Sequence, residues 1–580
     1  MNDSSMMYLG RDGVDRIRRL ASTDPWAHLV AGEILERAEA LHRAPLIERA
    51  FEPGRKVMLT VSRSLAERVH TFGIAWVLDG ETRHRQRLLA ELEAAAGFPD
   101  WNRKHFIDTA EMMAGVALGR NWLRAIIGKP QRKTLDAAII RHGLMPALES
   151  LRGEVSWTRA THNWNIVCCG GAIVAAVALR SDHPEICDEV IDLASAAMRS
   201  GLSSYAPDGG WAEGPSYWEY ATRYAAFAIA ALEEAGLDSR GLGGSSGLAA
   251  TWRFGMHLTG PSGLSFDYGD NLLVPERCPA LGWLAAKSAD PLSVEWQKKA
   301  PGPRHPFDLV WHGPSAAKAP DAAEPEAFFD RAGIAMLRDT GPDGLYVAIR
   351  GGSNAVNHSH LDLGSFVLEA KGQRFVSDLG RDDYALPGYF DLDRRFDYFR
   401  TGTPAHNTLV FGERDQAVSA SAIRLRWRSD PGFPAVAFAV DDPDAPCPFR
   451  RAIALVSPGQ IAVVDHIPAR QGRFTIAADW RIHTKANVVC DGSEARLSLG
   501  EVELTMRLVA PFSASFESEP VTTPPGEADN SAFRRVLARF GAPEGGAWIA
   551  VVFSLGAAKE RNPTDRLEAL RRWLETGQER

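Results

Sequence analysis

The apolar periodicity of this chain changes once, near its middle, and that change limits the folds open to it. Through the first half, apolar residues recur at helical spacing and stop at glycine. Leu88, Leu89 and Leu92 lie on one side of 83–96 and end at Gly97. Ile186, Val190, Ile191, Ala194, Ala197 and Met198 end at Gly201, and an alanine-rich run over 220–235 ends at Gly236. A glycine directly after a helical run is a C-terminal cap signal. The run 166–179 is dominated by Ala, Gly, Cys and Val, small enough for two helices to approach closely. Helices of this length joined by Gly/Pro turns suit an array of helical hairpins.

Between about residues 300 and 326 the composition becomes that of a linker, with Pro301-Gly302-Pro303 and Ser315-Ala316-Ala317-Lys318-Ala319-Pro320. Strand signals follow. Leu345, Val347 and Ile349 alternate with other residues, and Lys371-Gly372-Gln373 separates 365–370 from 374–378 as a hairpin. Ser457-Pro458-Gly459-Gln460 and Gly500-Glu501 separate two further pairs of alternating runs. A terminal helix is predicted over 563–574, capped by Thr564 or Asp565. No fixed-period repeat is evident. The expected fold is a multidomain α-then-β chain. An α/α toroid, an incomplete barrel of helical hairpins, occupies 1–315, and an antiparallel β-sandwich with a short C-terminal helix occupies 316–580.

At 580 residues the chain exceeds one ordinary core. Its net charge of −8 argues against bulk-charge binding of nucleic acid or an anionic membrane, while leaving room for a short anionic ligand in a locally basic pocket. The six cysteines contain no CxxC pair, so neither a disulfide framework nor a cysteine zinc site is expected. No apolar run is long enough to span a bilayer. Residues 1–7 carry no basic region followed by an apolar stretch. The expectation is therefore a cytoplasmic chain, or a periplasmic one if a signal peptide has been removed.

Two regions carry chemistry. Asn357-His358-Ser359-His360-Leu361-Asp362 is followed by Asp378 and by His406 in Pro404-Ala405-His406-Asn407. His360, Asp378 and His406 offer two imidazoles and a carboxylate for a zinc-like cation, and His358, two residues before His360, is left to face a substrate. The ion's expected role is structural, holding the strand that aims His358. In the first half, Thr161 is placed to cap a helix whose N-terminus, with His162 and Asn163, can face a carboxylate. The loop 208–218 carries Trp211, Glu213, Tyr217 and Trp218, and its tryptophans can stack on sugar rings, as can Trp164. Tyr384, Tyr389, Tyr398 and Arg400 lie between the metal candidates, and 266–271 is a polar-aromatic turn of weak signal.

In this order these motifs resemble the heparinase II/III-like polysaccharide lyases, which include exolytic oligoalginate lyases. The resemblance runs from about Trp101 to Phe411. It rests on Glu111 with Asn121-Trp122-Leu123, His162-Asn163-Trp164, Glu213-Gly214-Pro215-Ser216-Tyr217, the 357–362 motif, Ser377-Asp378-Leu379-Gly380 and Ala405-His406-Asn407-Thr408. It implies a toroid joined to a sandwich and β-elimination of 1,4-linked uronates. By resemblance, Asn163 and His358 neutralise the substrate carboxylate and Tyr217 is the proton donor. His162 is the base for one C5 configuration, and Tyr217 acts as both base and acid for the other. His360, Asp378 and His406 hold zinc, and no organic cofactor is implied. Trp164, Trp211, Glu213, Trp218, Tyr389, Tyr398 and Arg400 are the substrate-binding candidates, with Tyr389 or Tyr398 assisting. The residue three after His162 is acidic in some members and is Asn165 here. The implied partner is an acidic oligosaccharide or polysaccharide cut from an end, with no nucleic acid or membrane; a homo-oligomer is left open.

Two other readings compete. HxH motifs also begin some metal-dependent hydrolase sites, but on barrels in which strands and helices alternate, unlike this order. A non-catalytic glycan-binding protein is the other, because fold does not settle function.

Overall fold

The computed structural model describes residues 6–313, 324–339, 344–430, 432–470, 475–556, 558 and 563–576. The predicted linker 315–320 and the boundary after 315 lie outside the described residues, as do the first five of the N-terminal residues. The chain divides into two compact units. The first comprises Met1–Gly209, Tyr217–Arg253 and Glu276–Pro320; the second comprises Gly210–Ser216, Phe254–Pro275 and Asp321–Arg580.

Every regular element of the first unit's described residues is helical. The helix Phe106–Leu123 packs against both Leu59–Asp79 and Asn163–Leu179, and the latter packs on Pro184–Leu202. Small residues set how closely they approach. A Cβ on Gly171 would stand 2.5 Å from the Ala110 carbonyl oxygen, and one on Gly170 would stand 2.8 Å from that of Tyr224. Cys168 and Cys169 are buried in the same helix, as core. The helix predicted over 83–96 runs Thr82–Ala96, and the Gly97 amide donates back to Glu93 and Ala94.

Two helix starts differ from expectation. The helix predicted from Tyr220 begins at Pro215, so Tyr217 and Trp218 sit in its first turn rather than in a loop. Proline is preorganised for that position, and Gly214 at φ 94° turns the chain into it. The cap of Asn163–Leu179 is His162, not Thr161, and no side-chain cap bond forms there.

The second unit carries three antiparallel sheets of five, nine and four strands among its described residues. The predicted hairpins are present. Strands Phe366–Ala370 and Gln373–Val376 turn through Lys371 and Gly372, both at positive φ, and Phe449–Ser457 pairs with Gln460–Ile467 around Gly459. The sheets share one core in which Val347, Leu368, Ile453, Val463, Trp480 and Ile482 meet. Strand alternation sends Ala452, Ala454 and Val456 to the opposite face, where Leu567, Leu570, Trp573 and Leu574 of the C-terminal helix Thr564–Thr576 cover them. Alanine on that face leaves room for a helix. No helix of the described residues is long and apolar enough to cross a membrane. Helices first and antiparallel sheets afterwards is the architecture expected from the sequence.

The packing yields a paired prediction. Gly171→Ala should lower stability by about 1–3 kcal/mol because its Cβ has no space. Gly32→Ala, at an exposed position of the helix Pro25–Arg43 with nothing within 4 Å, should instead gain up to about 1 kcal/mol. Denaturant melts of both variants check the pair.

Candidate active site

In the second unit, the 357–362 motif is held by the segment 266–271. His358 has φ 61°, a left-handed conformation uncommon for a residue with a side chain. The Asp270 amide donates to the His358 carbonyl at 2.9 Å. Gly269 lies so close that a Cβ there would stand 2.6 Å from that same oxygen. The His358 backbone is thus fixed by its neighbours.

The Asp270 carboxylate is buried and saturated. Its Oδ2 accepts from His358 Nδ1 at 2.9 Å and from Arg395 at 2.8 Å. Its Oδ1 accepts from Tyr389 Oη at 2.6 Å and from His360 Nε2 at 3.1 Å. Burial opposes its charge, but the hydrogen bonds from His358 and His360 and the charge of Arg395 prevail and hold it well below the usual carboxylate range. Arg395 also donates twice to the Ser359 carbonyl, at 3.1 and 2.9 Å. Buried Arg350 pairs with Asp362 and donates to the His360 carbonyl at 3.3 Å.

Glu213 belongs to the same unit. It accepts from Trp211 Nε1 at 3.1 Å and from Asn357 Nδ2 at 2.8 Å, and its carbonyl accepts from Asn271 Nδ2 at 2.8 Å. A Cβ on Gly214 would stand 2.1 Å from that Asn271 nitrogen, which is why the residue after Glu213 is glycine. The Trp-x-Glu-Gly segment is thereby a brace for Asn357 and its neighbour His358.

The metal candidates lie together and are wholly buried. His406 Nδ1 donates to Asp378 Oδ2 at 2.8 Å, and the His360 and His406 rings are 5.3 Å apart. His360 Nδ1 and His406 Nε2 are buried without a hydrogen-bond partner. Two such nitrogens beside carboxylates fit a zinc-like cation, since ligating imidazoles commonly give their other nitrogen to a carboxylate. Asp378 occupies the Nδ1 edge of His406, opposite Nε2, so it orients that ring as placed. Burial works against its charge, while the charge and hydrogen bond of His406 outweigh burial and lower its pKa. Neighbouring Asp267 is raised, by burial and then by the Asp378 charge. Among the described residues, Asp79, Glu81 and His84 in the first unit bring their ligand atoms within 4.8 Å of one another. There the His84 nitrogens are already paired with Asp79 and His42, and Glu81 is paired with Arg83.

In the first unit, buried Asn163 opens its helix and half-buried His162 precedes it. Asn165 explains its own identity. Its Nδ2 donates to the carbonyls of Trp157, Thr158 and Ala197, and its Oδ1 accepts from Gly201 N. A carboxylate has no donor for those carbonyls. Half-buried Trp164 meets His105 edge-on at 4.9 Å. Tyr217 is half-buried in the first turn of its helix, one turn before Tyr220. Tyr220 Oη donates to Glu111 at 2.6 Å, and the guanidinium groups of Arg63 and Arg223 lie over the Tyr220 ring at 4.9 and 5.3 Å.

Several substrate-binding candidates are structural where the fold places them. Trp211 and Trp218 are 1% and 5% exposed, and Trp218 Nε1 donates to Thr251. Buried aromatic rings of this kind pack in the core and offer no face to a sugar. Tyr389 is 1% exposed and its hydroxyl is committed to Asp270. Tyr398 Oη donates to the Pro387 carbonyl. Arg400 donates to Asn530 Oδ1 and to the carbonyls of Arg381 and Asp529, tying loops together. Asp270 and Arg395 were not among the sequence candidates; the only signal for Asp270 was the polar-aromatic turn 266–271.

Comparison with known proteins bears on the fold. Residues 321–541 match the family model described as heparinase II/III-like, C-terminal. Over that segment the chain is similar to the heparinase II/III-like family. A crystal structure of heparinase III aligns over 96% of this chain and 94% of its own, with TM-score 0.63 and 13% identity. A heparan sulfate lyase HepC mutant from Pedobacter heparinus aligns over 95% and 92%, with TM-score 0.60 and 13% identity. At that identity the likeness is one of fold. No curated protein sequence matches the chain.

Burial of Glu219, on the Tyr217 helix, gives a pH prediction. Its Oε1 is buried without a partner, and burial raises its pKa to about 7, against the pull of Arg223. A carboxyl raised in the folded state binds its proton more tightly there than when unfolded. Stability should therefore fall as pH rises from 4.5 to about 7 and then level off, with a slope of at most about 1.4 kcal/mol per pH unit from this group. Glu219→Gln should flatten that decline in melts across the range.

Proposed function

We propose that the chain is a polysaccharide lyase that cleaves 1,4-linked uronate-containing glycans, alginate or glycosaminoglycan-like, by β-elimination. The observation that carries the reading is His358, held in a strained backbone and braced by Asp270 and by Asn357 with Glu213, within a heparinase II/III-like unit. Such fixation serves a side chain that must meet developing charge. Tyr217 follows Glu213 by four residues in sequence.

In the reaction, a base takes the C5 proton, the C5–H bonding electrons become the C4–C5 double bond, and the C4–O4 bond breaks with its electrons leaving on O4. An acid then protonates the departing O4. Asn163 and His358 neutralise the carboxylate next to C5. Tyr217 donates the proton to O4, and the base is His162 or Tyr217 according to the C5 configuration. The net charge of −8 disfavours loose capture of a long polyanion, which supports cleavage from an end. His360 Nδ1 and His406 Nε2 would hold a zinc-like ion, with Asp378 orienting the His406 ring; the ion's contribution when bound would be to cross-link the segments that aim His358.

The test is ultraviolet absorbance from an unsaturated uronate when alginate, heparan, chondroitin or hyaluronan oligosaccharides are added. Tyr217→Phe should lower turnover by about 10²–10⁴-fold with circular dichroism unchanged. Products without a double bond would favour a hydrolase, and an endolytic ladder would exclude the exolytic mode. Protein prepared with zinc should retain an ion that a chelator removes with a fall in Tm, and His406→Ala should not retain it. A Tm that the chelator leaves unmoved would reject the metal assignment.

A further inference from the structure

We infer that Asp270 is the positioning residue for His358, fixing the imidazole by which the enzyme meets the substrate carboxylate; this rests on the lyase reading. Asp270 grips His358 twice: its amide holds the strained His358 carbonyl at 2.9 Å, and its Oδ2 holds Nδ1 at 2.9 Å. The two nitrogens of an imidazole lie on different edges of the ring, so a bond at Nδ1 fixes where Nε2 points. The carboxylate cannot turn to follow the histidine. Tyr389, His360 and Arg395 occupy the rest of its lone pairs, and the Asp270 carbonyl accepts from Tyr384 Oη at 3.3 Å. Arg395 closes the arrangement by donating to both Asp270 and the Ser359 carbonyl, one residue past His358. The imidazole is therefore located by a carboxylate that is itself located by three other side chains. Asp270 is 2% exposed, so it acts through His358 rather than on substrate.

Replacing it should loosen a group needed most in the transition state. Asp270→Asn keeps the shape but replaces one acceptor oxygen by NH2, so either the His358–Arg395 pair or the Tyr389–His360 pair loses its acceptor and the carboxylate's fixed position is lost. Turnover should fall about 10²-fold with KM changed only a few-fold. In a His358→Ala background the same replacement should cost nothing further, because the effect passes through that ring. Equal losses in both backgrounds would overturn the assignment and point to His360 or to general structure.

An independent readout needs no turnover. Proton NMR of the wild-type protein should show a downfield, exchange-protected His358 Nδ1 proton that disappears in His358→Ala. If Asp270→Asn fails to fold, this wild-type signal decides: its presence supports the assignment and its absence overturns it. If the wild type makes no unsaturated product on any of the four glycans, the lyase reading fails, while the NMR result still judges whether Asp270 fixes His358.

Discussion

The second unit depends on the need to match every charge it buries. A carboxylate taken out of water costs several kcal/mol unless donors surround it. Asp270 meets that condition with four donors drawn from two segments, His358 and His360 from one and Tyr389 and Arg395 from the other. Asp362 pairs with Arg350, Asp378 with His406, and Arg451 with Asp465, all buried. Such pairs add little net stability over apolar packing. They do define one geometry, because losing either partner strands the other. The polar centre around His358 is rigid for that reason.

The helical unit solves a different problem. Its helices approach closely because Gly170 and Gly171 leave room, so backbone meets backbone with little side chain between. The turn before Asn163–Leu179 is stitched by Asn165, whose amide serves as both donor and acceptor. Along the helix Pro215–Glu234, Tyr217 and Tyr220 are three residues apart, and Tyr220 is fixed by Glu111. The Tyr217 helix is thus anchored by a phenol–carboxylate bond one turn beyond Tyr217.

The fold class was legible in the sequence because its signals are local. Helices ended at Gly97 and Gly236, hairpins turned at Gly372 and Gly459, and alternation marked the strands between. The motif around His358 was visible for the same reason, since six consecutive residues, 357–362, carry it. Less legible were the helix start at Pro215 and the cap at His162, where a proline or a polar residue allows more than one beginning.

By itself, then, the sequence determined the order of helices and strands, because backbone preference and apolar spacing act over a few neighbours. Tertiary structure alone decided which of the polar and aromatic side chains became scaffold. Trp211, Trp218, Tyr389 and Arg400 are spent inside, and Asp270 became the centre that holds His358. The physical reason is distance along the chain. Asp270 finds His358 across 88 residues and Tyr389 across 119, and no local periodicity reports which donor will satisfy which buried acceptor.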